Sequence, residues 1–265
     1  MIDIAAQCAE EAGKILVRNL EKPRHIEHKG SLDTNLVTET DKEVEEYIVG
    51  ELRSRFPDHD ILAEESGSRG SGSEYRWIID PLDGTTNYAH GLPLFCTSIG
   101  LERRGELVLG VIYDPMRKEL YSAQKGKGAF LNGRQLKVSQ TLTLRESLLV
   151  TGFPYDIRSN PDHAVEHFNE FLMEARAVRR LGSAAIDFCY VAAGRFDGFW
   201  EVSLNPWDMA AGILIVLEAG GTFTDFRGEP TSIYGRSMLV SNGRIHGQMV
   251  DVLARNVGSR AASSA

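Results

Sequence analysis

The chain has 265 residues, of which 42% are hydrophobic and 25% charged, and its formal net charge is −8. This composition is typical of a globular protein with a large core, built as one domain or two closely joined ones. The acidic balance argues against nonspecific nucleic-acid binding, which needs a basic surface. It permits a phosphate substrate, because bound metal can reverse the local charge of a carboxylate-rich site.

The cysteines and the N-terminus indicate the cellular compartment. The three cysteines are scattered, odd in number and set among apolar neighbours, which is typical of buried thiols in a reducing compartment. Residues 1–4 lack the basic and apolar regions of a signal peptide, and no apolar run approaches the ~18 residues of a membrane span. We therefore expect a soluble cytoplasmic enzyme that has no membrane or nucleic-acid partner.

The first half of the chain is predicted to form two helices followed mainly by sheet. Apolar spacing predicts a helix over residues 3–20, and a second one from a capping box of Thr40 and Glu43 to about Phe56. Pro81 is expected to end the strand that precedes Asp80. The Gly/Ser-rich residues 67–73 are expected to be flexible. Strands are predicted over residues 36–38, 61–63, 77–79, 97–101, 107–113, 119–123 and 129–131.

The second half alternates strands and helices. One helix, over residues 161–175, is expected to turn Val165, Phe168 and Leu172 inward. Residues 258–265 are expected to be disordered. Strands are predicted over 147–151, 196–200, 222–226 and 238–241, and further helices over 207–219 and 245–253. Residues 179–185 are predicted to lead into another helix, whose apolar face includes Ile186 and Val191.

The stretch from Trp77 to Gly91, WIIDPLDGTTNYAHG, carries the strongest chemical signal. Asp80 and Asp83 follow an apolar strand, and a glycine and two threonines come next. Hard cations prefer carboxylate oxygens, and phosphate prefers the N–H groups at a helix start. Asp-Pro-x-Asp-Gly is also an ordinary turn sequence. The apolar strand before it and the Thr-Thr pair after it favour a combined metal and phosphate site.

Three other acids admit both a structural and a functional interpretation. Asp41 would favourably charge the start of a helix, and Glu64 would belong to a solvated loop after a strand. Asp208 fits the structural interpretation less well. It lies in the first turn of an almost wholly apolar helix, where a buried carboxylate is costly unless a metal or N–H groups compensate it.

Two segments of the chain resemble the two signatures of the inositol monophosphatase family. The members of this family are Mg²⁺-dependent, lithium-sensitive sugar phosphatases. The first is WIIDPLDGTTNYAHG, and the second runs from Trp207 to Gly221. The resemblance extends to about Leu253. It implies a mixed α/β fold, an αβαβα five-layer sandwich, and a homodimer. Within one compact unit, residues 1–145 would form an α+β half with most metal ligands, and residues 146–257 an α/β half that completes the substrate pocket.

The resemblance also implies a set of metal ligands for two or three Mg²⁺ ions. One ion would bind Glu64, Asp80 and the backbone carbonyl of Leu82. A second would bind Asp80, Asp83 and Asp208, and a weaker third would lie near Glu64. Mn²⁺ is an alternative cofactor, whereas Ca²⁺ and Li⁺ are expected to inhibit.

The reaction implied by the resemblance is attack of a metal-activated water on phosphorus. The catalytic residues would be Thr85, which orients the water, Asp41, which holds Thr85, and Glu64. A second water near Asp208 or Asp83 would protonate the leaving group, and His90 is expected to be structural. The substrate-binding residues would be Asp83, Gly84, Thr85, Gly182, Ser183, Ala184, Glu201 and Asp208. For Gly182 to Ala184, close helix packing is the commoner explanation of such small residues.

The favoured substrate is inositol monophosphate, because a carboxylate at Glu201 suits a neutral polyol. Fructose 1,6-bisphosphate is an alternative, for which Arg158, Arg179 or Arg180 would hold the second phosphate. Other sugar, polyol or nucleotide phosphates are further alternatives. A non-catalytic regulator that binds a transcription or ribosome-associated protein is a hypothesis of another class, and the full carboxylate set argues against it.

Overall fold

The computed structural model describes residues 1–20, 26–28, 36–70 and 72–255. The tail predicted to be disordered, residues 258–265, lies outside them. None of the described helices has the length and apolar character needed to cross a membrane. The helices of these residues are α1 (Ile2–Leu20), α2 (Glu39–Arg55), α3 (Thr85–Ala89), α4 (Ala164–Glu174), α5 (Ala184–Ala192), α6 (Pro206–Glu218) and α7 (His246–Ala254).

The strands form a two-stranded pair and two larger sheets. The pair consists of β1 (Ile26–His28) and β2 (Leu36–Thr38). The larger sheet contains β3 (Asp60–Ala63), β4 (Gly67–Arg69), β5 (Tyr75–Asp83), β6 (Cys96–Arg103), β7 (Glu106–Asp114), β8 (Glu119–Gln124), β9 (Gly128–Leu131) and β10 (Arg134–Gln135). The smaller sheet contains β11 (Leu148–Thr151), β12 (Ala177–Arg179), β13 (Gly198–Val202), β14 (Thr222–Thr224) and β15 (Ser237–Ser241).

The order of strands is β10-β9-β8-β7-β6-β5-β3-β4 in the larger sheet and β12-β11-β13-β15-β14 in the smaller. The larger sheet is antiparallel except where β3 pairs with β5. In the smaller sheet β11 runs parallel to both neighbours, and β15 runs antiparallel to both of its own. Both sheets are therefore mixed.

The side chains of both sheets alternate between two apolar clusters, as the period of a strand requires. In the smaller sheet Leu149 and Leu239 join the cluster of α4 and α7, whereas Val150 joins that of α5 and α6. In the larger sheet Trp77 joins the cluster of α1 and α2, and Ile78 joins that of α5 and α6. The layers are therefore helix, sheet, helix, sheet, helix, and the five-layer sandwich is confirmed.

The central layer joins the two sheets. The cluster that contains α5 and α6 takes buried side chains from both of them, so the sheets share one apolar core. The sheets themselves come from successive parts of the chain, residues 60–135 and 148–241. A boundary between two halves near residue 145 stays a prediction.

Helix α6 packs unusually closely on the larger sheet. Gly100 and Gly110 lie opposite each other on β6 and β7. A Cβ at Gly110 would lie 2.7 Å from the carbonyl oxygen of Ala211, and a Cβ at Gly100 would lie 2.7 Å from the Cβ of Ala210. Only glycine at these two positions leaves room for the helix.

The capping-box prediction for α2 is wrong. The helix begins at Glu39, so Thr40 lies inside it. The carboxylate of Glu43 accepts hydrogen bonds from Arg18 Nη2 at 2.6 Å and from Asn19 Nδ2 at 2.7 Å. Both donors belong to α1. Glu43 therefore pairs with α1, although the local sequence pattern predicts that it caps α2.

Two predictions around β5 are also wrong. The strand continues through Pro81 to Asp83, because its register against β6 shifts between Asp80 and Asp83 and a ladder hydrogen bond is not required there. Residues 67–69, predicted to be flexible, form β4 and pair with β3. Strands β1, β10 and β12 were not predicted, since each has only two or three residues and includes a charged one.

Helix α4 turns a different face inward from the predicted one. Its buried residues are Ala164, His167 and Phe171, whereas Val165 and Leu172 are 41% and 50% exposed. Both sets have helical spacing. The ring of Phe171 packs on Trp200, with centroids 4.1 Å apart, and this contact sets the rotation of the helix. The buried face includes His167, so a pattern based on apolar residues alone does not predict it.

We expect Gly110→Ala to lower the free energy of unfolding by about 1–3 kcal/mol, because the added methyl meets the backbone of α6. The matched control is Gly50→Ala, at an exposed position of α2 where an added Cβ meets nothing within 4 Å. That change should stabilise the protein by about 0.5–1 kcal/mol. Urea unfolding measures both, and equal stability of the two variants would contradict the packing argument.

Stability should also depend on the protonation of His167. Burial, with a smaller contribution from His163, lowers the pKa of His167 to about 4 from its ordinary 6.5. The unfolded chain therefore binds a proton that the folded chain does not, and stability falls as the pH drops from about 6.5 to about 4. Allowing for solvent screening, we expect roughly 2 kcal/mol from this residue.

The variant His167→Gln keeps a side-chain N–H donor and removes the titration. Urea unfolding at pH 7 and at pH 4 gives the free energy of unfolding of wild type and variant. Between these pH values the wild type should lose roughly 2 kcal/mol more than the variant. A difference that stays constant with pH would show that His167 does not titrate in this way.

Candidate active site

One cavity of about 120 Å³ lies where β5 and α3 meet the beginnings of α5 and α6 and the end of β13. Nearly all the predicted site residues line it. They are Glu64, Asp80, Leu82, Asp83, Gly84, Thr85, Gly182, Ser183, Ala184, Glu201 and Asp208. Asp41 lies behind the wall and touches Thr85. His90 is exposed at the end of α3 and is not part of the wall, and its structural role stays a prediction.

Three carboxylates converge at the centre of this cavity. One oxygen from each of Asp80, Asp83 and Asp208 lies within 4.8 Å of the others. Asp80 and Asp83 are only 1% and 8% exposed. The side chains of Glu64 and Asp80 are hydrogen-bonded to each other. Residues from two strand ends of one sheet and from a helix of the central layer thus bring their negative charges together.

Burial and mutual repulsion disfavour ionisation of these acids. Burial, followed by the charge of Glu64, raises the pKa of Asp80 and of Asp208 well above the ordinary range. Burial also raises the pKa of Asp83 to about 6, although the Ser183 hydroxyl opposes it. A divalent cation would relieve this repulsion. An all-oxygen donor set with a carbonyl nearby fits Mg²⁺ or Mn²⁺.

Asp83 is bonded directly to the start of α5. Its Oδ2 accepts a short hydrogen bond from the Ser183 hydroxyl and another, of 2.8 Å, from the Ala185 N–H. The Ser183 oxygen also accepts the Ile186 N–H as the cap of this helix. Ser183, predicted to contact substrate, therefore has a clear role in orienting Asp83.

The hydroxyl of Thr85 lies between two acceptors. Its Oγ1 is 3.2 Å from Asp41 Oδ1 and 3.0 Å from the carbonyl oxygen of Leu82. A hydroxyl has one proton to donate, so a lone pair of Oγ1 remains able to accept from a water molecule. The Leu82 N–H in turn donates to Asp80 Oδ1 at 2.9 Å. This chain of contacts links the Thr85 hydroxyl to the carboxylate cluster.

Gly84 shapes the backbone between the cluster and α3. Its φ is 93°, in the left-handed region, and a Cβ there would lie 2.8 Å from the carbonyl oxygen of Leu94. Glycine is therefore required on both conformational and steric grounds. The first N–H groups of a helix have no partner within it, so this turn offers donors to an anion.

The opposite wall of the cavity is acidic but carries one arginine. Glu201 is 7% exposed, and burial raises its pKa while Arg180 opposes the rise. A Cβ at Gly152 would overlap the Glu201 carboxylate, so glycine makes room for it. Of the three arginines considered from the sequence, Arg180 lines the cavity. Arg158 and Arg179 are exposed and do not belong to its wall.

Sequence reasoning missed several residues of the wall. Asp187 carried the same signal as Asp208, an acid in the first turn of an almost wholly apolar helix. Ser203 has a φ of 61°, a conformation that its residue type does not reveal. The other wall residues that were not predicted are Thr86, Gly152, Phe153, Pro154, Tyr155, Leu204 and Asn205.

Comparison with known proteins identifies the family of the chain. The sequence profile of the inositol monophosphatase family matches residues 1–258. An inositol-1-monophosphatase of Mesorhizobium japonicum is 38% identical over 261 residues, which are 98% of each chain. The Nus factor SuhB of Pseudomonas aeruginosa is 44% identical over 233 residues, 86% of each chain. The structure of inositol monophosphatase from Anabaena has a TM-score of 0.87 and 44% identity, and the match covers 96% of this chain and 94% of that one. The chain belongs to the inositol monophosphatase family.

Proposed function

We propose that this protein is a cytoplasmic, Mg²⁺-dependent phosphomonoesterase that hydrolyses myo-inositol monophosphate to inositol and phosphate. The observation that carries the proposal is the convergence of Asp80, Asp83 and Asp208, with oxygens within 4.8 Å of one another. The Mesorhizobium japonicum relative is named inositol-1-monophosphatase, which supports the choice of substrate.

The proposed metal ligands are the converging carboxylates together with Glu64 and the backbone carbonyl of Leu82. Glu64, Asp80 and the Leu82 carbonyl would hold one ion, Asp80, Asp83 and Asp208 a second, and a weaker third would lie near Glu64. When bound, Mg²⁺ would neutralise phosphate charge, acidify water and stabilise the leaving oxygen. Mn²⁺ is an alternative, and Ca²⁺ and Li⁺ are expected to inhibit.

Thr85 and Asp41 would orient the attacking water. Asp41 is fully buried and holds the Thr85 hydroxyl in one direction, so that Oγ1 presents a lone pair to water. Glu64 would also be catalytic. Its carboxyl group is hydrogen-bonded to Asp80, so its negative charge would act on the water beside Asp80. This arrangement needs no Ser or Cys nucleophile.

The phosphate and the polyol would occupy opposite sides of the carboxylate cluster. The N–H groups of Gly84 and Thr85 would receive phosphate oxygens. Glu201, a pure acceptor when ionised, would take a ring hydroxyl, and the small residues Gly182 and Ala184 would let the ring approach. Asp208 and Asp83 lie beside the leaving oxygen, where a second water would protonate it.

Two alternatives have specific support. Arg180 in the cavity wall favours fructose 1,6-bisphosphate, whose second phosphate needs a cation. The relative from Pseudomonas aeruginosa is called a Nus factor, which favours a regulatory role in addition to catalysis. The homodimer implied by the resemblance stays a prediction.

The proposed reaction predicts a pattern of phosphate release. With Mg²⁺ the protein should release phosphate from inositol 1-phosphate faster than from fructose 1,6-bisphosphate. EDTA should abolish the release and Li⁺ should inhibit it. Colorimetric measurement of inorganic phosphate tests this. Faster release from the bisphosphate would make fructose 1,6-bisphosphate the favoured substrate, with Arg180 binding its second phosphate. No release from any phosphate monoester would overturn the proposed function.

Asp208→Asn should separate metal binding from folding. The substitution keeps an acceptor for the Asn205 N–H, which lies 2.7 Å from Asp208 Oδ2. In EDTA the variant should be at least as stable as the wild type, because one repelling carboxylate is gone. Mg²⁺ at about 100 times its Kd should stabilise the wild type by about 2.7 kcal/mol, which is several degrees in Tm. The variant should lose most of this shift and at least about 100-fold in kcat.

The matched control for this comparison is Asp251→Asn, which changes an exposed carboxylate on α7. It should retain both the Mg²⁺-dependent rise in Tm and the activity. A full Mg²⁺ response in Asp208→Asn would contradict its assignment as a ligand.

A further inference from the structure

Asp187 is a buried acid with no place in the mechanism described above. It is the single charged residue of α5 and is 1% exposed. Its side chain contributes to the wall of the active-site cavity. The Oδ1 atom has no hydrogen-bond partner among the residues that the structure describes. Such an atom is costly, and it is expected where a bound molecule supplies the missing donor.

The position of Asp187 places it on the leaving-group side of the cavity. It lies three residues after Ala184 on α5, one turn of helix away, and therefore on the same face. The charge of Glu201 acts on Asp187 more strongly than the charge of Asp83 does. Asp187 is not a member of the converging group formed by Asp80, Asp83 and Asp208.

The neighbours of Asp187 in the cavity wall are polar and charged. Glu201 occupies the space that a side chain at Gly152 would fill, so its carboxylate stands beside the cavity. Arg180 faces both acids and partly offsets their charges. Two carboxyl groups, whose charges one guanidinium partly offsets, present oxygen acceptors on the cavity side, and acceptors bind hydroxyl groups.

We propose that Asp187 is a specificity-determining residue, whose carboxylate accepts a hydrogen bond from a second hydroxyl of the leaving group, beside the hydroxyl that Glu201 holds. The ligand class is a cyclic polyol or sugar with neighbouring hydroxyls. This inference rests on the proposed function, because it concerns the same site. A competing role for Asp187 is to hold Arg180 in place, and that role would affect every substrate alike.

The test compares two substrates in the Mg²⁺-loaded enzyme. Inositol 1-phosphate offers ring hydroxyls, and p-nitrophenyl phosphate offers none. The ratio of their kcat/KM values should fall by about 10–100-fold in Asp187→Ala, since a site built to bind a hydroxyl group discriminates through it. Asp187→Asn keeps one acceptor oxygen and should show a smaller fall. The matched control is Asp251→Ala, in which the ratio should not change.

A second comparison identifies the hydroxyl. Among inositol 1-phosphates that each lack one hydroxyl, one should be hydrolysed by Asp187→Ala with the same kcat/KM as by the wild type. A different one should be insensitive to substitution of Glu201. Thermal unfolding of each variant in EDTA shows whether it is folded.

The outcomes separate the inference from the function on which it rests. A ratio that stays constant in folded Asp187→Ala and Asp187→Asn overturns the role of Asp187, whether both substrates lose activity or neither does. If wild type hydrolyses p-nitrophenyl phosphate but no polyol phosphate, the proposed substrate class fails together with the inference. If wild type releases phosphate from neither, the proposed function itself fails.

Discussion

The hydrogen bonds between Asp83 and the first turn of α5 are the contacts on which the rest of the site depends. Asp83 ends a strand of the larger sheet, and Ser183 and Ala185 begin a helix of the central layer. The same carboxylate is one of the three that converge in the cavity. A single side chain therefore fixes the carboxylate cluster of the cavity against the first turn of α5.

The cost of the site lies in the charges that it gathers. Asp80, Asp187 and Glu201 are each less than 8% exposed, and burial raises the pKa of all three. Such groups lower the stability of the empty protein, and the apolar contacts of three helix layers must offset them. Asp80, Asp187 and Glu201 all line one cavity, and burial also disfavours the charged form of His167, which lies outside it.

Much of the fold could be predicted from the sequence because most elements carry a clear period of their own. The apolar run of α6 and the alternating strands from β6 to β8 are examples. What could not be predicted depends on partners distant in sequence. Glu43 binds α1 instead of capping α2, and the contact of Phe171 with Trp200 sets the rotation of α4.

The candidate site shows the same division. Every residue assigned to it by resemblance lies in the cavity or, like Asp41, against it. Asp187 went unnoticed although its sequence context matches that of Asp208, because an acid in an apolar helix does not reveal where its side chain ends. Gly152 could not have been found, since its importance comes from the carboxylate of Glu201, which lies on another strand.

The close seating of α6 on the larger sheet has a consequence for the choice of cation. Asp208 lies in the first turn of this helix, two residues before the Ala210 that touches Gly100. The close contacts at Gly100 and Gly110 hold α6, and with it Asp208, against the sheet that carries Asp80. Mg²⁺ demands shorter ligand distances than Ca²⁺ by a few tenths of an ångström. In the proposed metal site, a methyl group at either glycine would therefore change the distance between Asp208 and Asp80, and with it the preference for one cation over another.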